Sequence, residues 1–142
     1  MEKFEEGDFI RLKNMDKYQV GRFLNMDVNI FEITSIKDES VEVKQVIGKI
    51  PVSEIEPIPI NGKDDLQIYY DPIIMASIIG PYDPVPVHKK DYSYYYESFK
   101  RNFYEDKDFQ ELIKEKGLRY VHEVQHFLFD QFQDDGLKIH AI

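Results

Sequence analysis

Gly48 to Ile60, GKIPVSEIEPIPI, is the stretch on which the reading of the fold turns. Ile50-Pro51-Val52 reads as a short strand and Ser53 to Ile55 as a single tight turn. Pro57 and Pro59 lack an N–H and cannot sit in a central strand, so the run after the turn reads as a stiff extended exit. Working back from it, SVEVKQVI (Ser40–Ile47) sets Val41, Val43 and Gln45 against Glu42, Lys44 and Val46. NIFEITSIK (Asn29–Lys37) sets Ile30, Glu32, Thr34 and Ile36 against Phe31, Ile33 and Ser35. The residues Lys37 to Ser40, KDES, form a hairpin loop of turn-forming types. GDFIRLK (Gly7–Lys13) alternates Phe9, Arg11 and Lys13 with Ile10 and Leu12. YQVGRFL (Tyr18–Leu24) reads as a further strand with a bend or bulge at Gly21. Four or five short strands in the first sixty residues, closing on such a turn, predict a small SH3-like β-barrel. The boundary falls near Asn61, giving a module over 1–60 and a second region over 61–142.

That second region begins with a strand-like LQIYYD (Leu66–Asp71) and a loop rich in proline (Pro72, Pro81, Pro84, Pro86). DYSYYYESF (Asp91–Phe99) alternates Tyr92, Tyr94 and Tyr96 with Ser93, Tyr95 and Glu97, as a half-buried strand does. Two amphipathic helices follow, near 105–116 and 118–132, with Gly117 as breaker or C-cap between them. Phe109, Leu112 and Ile113 mark the inner side of the first. LKIHAI (Leu137–Ile142) reads as a final strand. The expected fold class is therefore α+β: an SH3-like barrel, a short strand region and two C-terminal helices.

The 142 residues are 42% apolar, and ten tyrosines with ten phenylalanines supply ample core. No run of about 18 apolar residues reads as a membrane span, and the acidic start MEKFEEGDF carries no signal-like apolar segment. Cysteine is absent, which removes disulfides, thiolate nucleophiles and Cys-based zinc sites together. A cytoplasmic protein is the simplest reading. The net charge of −9 repels nucleic acid in the far field, and the seven glycines form no phosphate-binding loop.

One motif carries chemistry. His122-Glu123-Val124-Gln125-His126 spells H-E-x-x-H, which on a helix sets two histidines on one face as zinc ligands with the Glu as general base. A catalytic zinc needs a third protein ligand. The positions that would extend the motif hold Phe129 and Phe132, and no Glu follows Glu123. Asp130, Asp134, Asp135, His140 and upstream His88 are the remaining candidates. On a wheel of roughly 100° per residue, Leu118, Val121, Val124, Leu128, Phe129 and Phe132 share one arc. Gln125 falls inside that arc and His122 at its edge, while His126 lies further out with Arg119, Glu123 and Asp130. The bland reading is a docking helix with a polar core pair, His122 and Gln125, whose partners must exist because a buried amide without them is costly.

Two stretches also resemble a known pattern. VSEIEPIPI (Val52–Ile60) is similar to the I-P-L-S-E-I-K-P-I-P-L-T segment of small uncharacterised proteins from Bacteroidota and their phages. LRYVHEVQHFLF (Leu118–Phe129) is similar to the I-K-Y-V-H-E-L-Q-N-L-Y-F helix that closes them, and GDFIRL to their opening R-I-G-N-Y-V. In that pattern Asn usually takes the place of His126, and Gln alternates with Glu at 123. The resemblance implies a packed helix, since a metal site does not survive loss of a ligand. It covers both ends of the chain, leaves about 63–116 without a counterpart, and has QDDGLKI where the pattern has T-G-E-E-L. It implies no biochemical role.

The leading expectation is a non-enzymatic accessory or protein-interaction protein, of phage or mobile-element kind, with a protein partner and no cofactor. One alternative is a minimal zinc hydrolase using His122, His126 and Glu123. Another is single-strand nucleic-acid binding on the Tyr strand with Lys100 and Arg101. Phe4, Phe9, Tyr18, Phe23 and Phe31 could line a peptide groove on the barrel or form its core.

Overall fold

The computed structural model describes residues 3–21, 29–60, 68–70 and 101–139. The described chain is α+β and divides into two compact units. One holds the residues up to Ile60 together with Arg119–Glu123; the other holds those from Ile68 to Leu118 and from Val124 onward.

The first unit is built on a five-stranded sheet of order β4-β3-β2-β1-β5. Its strands are β1 (Phe9–Leu12), β2 (Phe31–Lys37), β3 (Ser40–Val43), β4 (Ile50–Pro51) and β5 (Ile55–Pro57). All described pairings are antiparallel. A single 3-10 turn, Val52–Glu54, separates β4 from β5. The run ending at Pro57, expected to be an exit, is thus the fifth strand, at the sheet edge where a missing N–H is tolerated.

Strict alternation fails at two places in this sheet, and each failure has a local cause. The pairing of β2 with β3 shifts between Ile33 and Ser35, leaving Thr34 as the extra residue of a bulge. The Thr34 hydroxyl donates to Glu42 O at 3.1 Å. The bulge reverses the phase of β2, so both Ile33 and Ile36 pack on the core. The second failure ends β3 at Val43, where an extension to Ile47 was expected. Gln45 takes a positive φ of 71°, which returns Val46 to the core and bridges it to Val20. YQVGRFL is accordingly no strand over its described part, whose sheet contact is that Val20 bridge; residues 22–28 lie outside the described residues. The hairpin between β2 and β3 closes on Asp38 at φ 57°, a residue type that tolerates that region.

Side chains complete this unit where backbone pairing stops. The Asn29 amide accepts from Leu12 N–H (3.0 Å) and donates to Leu12 O (2.8 Å), continuing the β1–β2 ladder by one side chain. Glu54, in the 3-10 turn, accepts from both Lys17 and the Tyr18 hydroxyl. Ile10, Leu12, Ile33, Val41 and Ile50 form the centre of the core, each at most 1% exposed.

The second unit carries a three-stranded sheet of order β7-β6-β8, with β6 (Ile68–Tyr70), β7 (Arg101–Asn102) and β8 (Leu137–Ile139). Its helices are α1 (Lys107–Lys116) and the greater part of α2 (Val121–Phe132). Asp106 begins α1 by accepting Phe109 N–H at 2.9 Å, while its other oxygen accepts the buried Tyr70 hydroxyl of β6. Tyr70 and Phe103 each lie 5.2 Å from the Phe109 ring, at tilted angles that favour aromatic pairs.

Gly117 ends α1 at φ 68°. Its N–H reaches Lys114 O and that of Leu118 reaches Ile113 O, a Schellman closure that consumes two orphan carbonyls. The second helix, expected from about Leu118, starts at Val121 instead. Arg119 and Tyr120 are occupied by β-type bonds: Tyr120 forms an antiparallel bridge with Pro59 in the first unit. No helix among the described residues is long and apolar enough to cross a membrane.

Candidate functional site

The HEVQH residues begin at the second residue of α2, and the start of that helix explains most of their placement. The Glu123 carboxylate turns back to accept Arg119 N–H at 2.8 Å and Tyr120 N–H at 3.1 Å through the same oxygen, Oε1. With Val121 as the first helical residue, Glu123 is the third, and this is the N3 half of a capping box. Its other oxygen lies 3.9 Å from the Arg119 guanidinium, a loose, mostly exposed pair of little energetic weight. The carboxylate that zinc chemistry would use as a base is thus engaged in starting its own helix.

His122 is 1% exposed. Its ring lies 4.8 Å from Phe4 and stacks at 5.9 Å on Tyr120, and both neighbours are only partly exposed. Within a helix, position 122 faces the same side as Val121 and Gln125 closely enough to be drawn into an apolar setting. His126, one turn on, is half-buried, with half-buried Phe127 beside it and exposed Asp130 one turn further along.

Gln125 is 3% exposed and belongs to a different cluster. Its Nε2 donates to Asp135 Oδ2 at 2.8 Å, and Asp135 Oδ1 accepts Leu137 N–H at 2.9 Å. Asp135 therefore clasps α2 to the start of β8. Neighbouring Asp134 caps the same turn by accepting Gly136 N–H at 2.9 Å. Burial raises the Asp135 carboxyl above its ordinary value; the bonds from Gln125 and Leu137 and the charge of Lys138 pull against that, and Asp134 adds to it. Asp135 is the residue that reading the sequence missed as a partner for Gln125. The D-D-G spelling marks an Asx turn but not which helix the second Asp addresses.

The other sequence candidates separate. Phe9 and Phe31 are core residues, each 4% exposed, so they do not line an open groove. Phe4 packs on His122, and Tyr18 is spent on Glu54. Phe129, placed on the buried arc by the wheel, is 50% exposed, and with exposed Asp130 and Gln131 it shows the last turn of α2 standing in solvent. His88, His140, Phe23, Lys100 and the Tyr-rich stretch 91–99 lie outside the described residues; Arg101 is described only as part of β7. Among the described residues, no group of three or more His, Asp or Glu side chains gathers as a metal site would require.

Glu123 starts a helix, His122 fills an aromatic niche and Gln125 with Asp135 ties helix to strand. Comparison with protein-family models, with curated proteins and with solved structures finds no match to this chain.

Proposed function

We propose that the chain is a non-enzymatic accessory or protein-interaction protein of the cytoplasm, whose first unit is a small SH3-like barrel and whose partner is another polypeptide. The observation that carries the reading is the engagement of Glu123: its carboxylate holds the N–H groups of Arg119 and Tyr120, while His122 is packed against Phe4 and Tyr120. A zinc hydrolase would need that carboxylate turned to a metal-bound water and that imidazole turned to the metal. The strand order β4-β3-β2-β1-β5, with a 3-10 turn before the last strand, supports the SH3-like assignment.

The likeness to small Bacteroidota and phage proteins gains support from one fact of geometry. Its two main segments, Val52–Ile60 and Leu118–Phe129, are bonded to each other through Ile58, Ile60, Arg119 and Val121. Residues that meet in one structural feature are the kind that a shared fold retains; the phage or mobile-element origin is proposed from that likeness alone.

Metal analysis of the purified protein tests the reading. The expected result is no stoichiometric zinc and no change in melting temperature with a chelator. Bound zinc at one equivalent, or a hydrolytic activity abolished by Glu123→Gln, overturns it.

A further inference from the structure

Two stretches far apart in the sequence meet at one edge of the first unit. Val121 N–H donates to Ile58 O at 2.9 Å, and Ile60 N–H donates to Arg119 O at 3.1 Å. These bonds frame the bridge between Pro59 and Tyr120, which places Pro59 at the position that needs no N–H. The proline that looked like a strand breaker therefore costs this pairing nothing. Beside the bridge, the His122 ring is set against Phe4 at 4.8 Å and buried to 1%. Arg119–Tyr120 is a short non-helical stretch bonded along Ile58–Ile60, and it runs directly into α2, whose second residue, His122, fills the aromatic niche and whose third, Glu123, caps the helix start. Peptide recognition uses the same parts: backbone bonds supply affinity and a sequestered side chain supplies register.

We propose that the Ile58–Ile60 stretch, with Phe4, is a peptide-acceptor site occupied in cis by the chain's own Arg119–Glu123. Its partner class is a segment of the pattern aromatic–aliphatic–His–Glu, bridged at the aromatic residue and helical from the aliphatic one. The inference rests on the interaction-protein reading and supplies the partner chemistry for it. A tethered occupant competes with free peptide at an effective concentration of about 1 mM, so the wild-type site is closed to weak partners and opens when the cis segment is released.

The test uses the full chain and a fluorescein-labelled peptide GLRYVHEVQH, the sequence of residues 117–126. Val121→Pro removes the N–H that bonds Ile58 O. Proline suits the first position of a helix, and it favours the extended backbone that Tyr120 has at the bridge. The expected result by fluorescence anisotropy is peptide binding about ten-fold tighter to V121P than to wild type, with a scrambled peptide bound by neither. A V121P chain that melts cooperatively yet takes up no peptide overturns the proposal. Hydrogen exchange on the wild-type chain decides the matter even if V121P does not fold. The Ile60 and Val121 amides are expected to exchange by local opening, at least ten-fold faster than Ile33, whose N–H bonds Asp8 O in the sheet. Protection equal to that of Ile33 makes the segment an integral part of the core and ends the proposal. Neither readout depends on metal or hydrolysis, so failure here leaves the zinc test of the interaction-protein reading standing.

Discussion

At the scale of the residue, the buried polar groups divide by what holds them. His122 sits among rings, Asp106 joins a helix start to Tyr70, and Asp135 joins Gln125 to the backbone of β8. Asp135 gives a pH dependence with a definite sign. Its folded-state pKa is raised above the ordinary 3.8, chiefly by burial, so between 3.8 and that raised value the folded chain binds more protons than the unfolded one. Stability from this group is fully present below 3.8 and is lost as pH rises through the window above it. Asp135→Asn removes the titration. The stability of wild type relative to D135N, from urea unfolding at a series of pH values, is expected to fall as pH rises from about 4. A difference that rises with pH refutes the sign.

The element scale belongs to the beginning of α2. A helix needs its first N–H groups satisfied, and here Glu123 serves the N-cap residue Tyr120 and Arg119 before it. Glu123→Ala is expected to cost about 0.5–2 kcal/mol in urea unfolding. Glu123→Gln keeps an acceptor at N3 and is expected to stay within about 0.5 kcal/mol of wild type. The pair separates a cap from a catalytic base, because a base is disabled by either change. The same element shows why the helix starts late. Periodicity carries an apolar Leu118 into the helical pattern, but Leu118 closes α1 and Tyr120 bridges Pro59. Each residue is bonded outside α2, and neither bond can be read from spacing alone.

For the whole molecule, charge weighs on what periodicity leaves open. An alternating run of tyrosines reads as a stacking platform or as the face of a strand with equal ease. The net charge of −9 opposes the long-range approach of a nucleic acid. Single-stranded oligonucleotides are expected to show no binding by anisotropy even at about 50 mM salt, where electrostatic affinity is strong. Measurable affinity that weakens with added salt would restore the nucleic-acid reading.

The amino-acid sequence alone determined the α+β class, the short antiparallel strands around Phe9–Leu12, Phe31–Lys37 and Ser40–Val43, both helices, and the glycine that ends the first. Those are local properties: alternation, helical period and a backbone angle that glycine allows. It also carried the burial of Val121, Val124, Gln125 and Leu128, since one helical face repeats at fixed angles. Tertiary structure decided the rest. The bulge at Thr34, the return of Val46 to the core and the exposure of Phe129 depend on what lies opposite each residue. The surroundings of HEVQH were decided there too. Glu123 accepts the Tyr120 N–H, and His122 lies against Phe4, a neighbour far from it in the chain that spacing does not reveal.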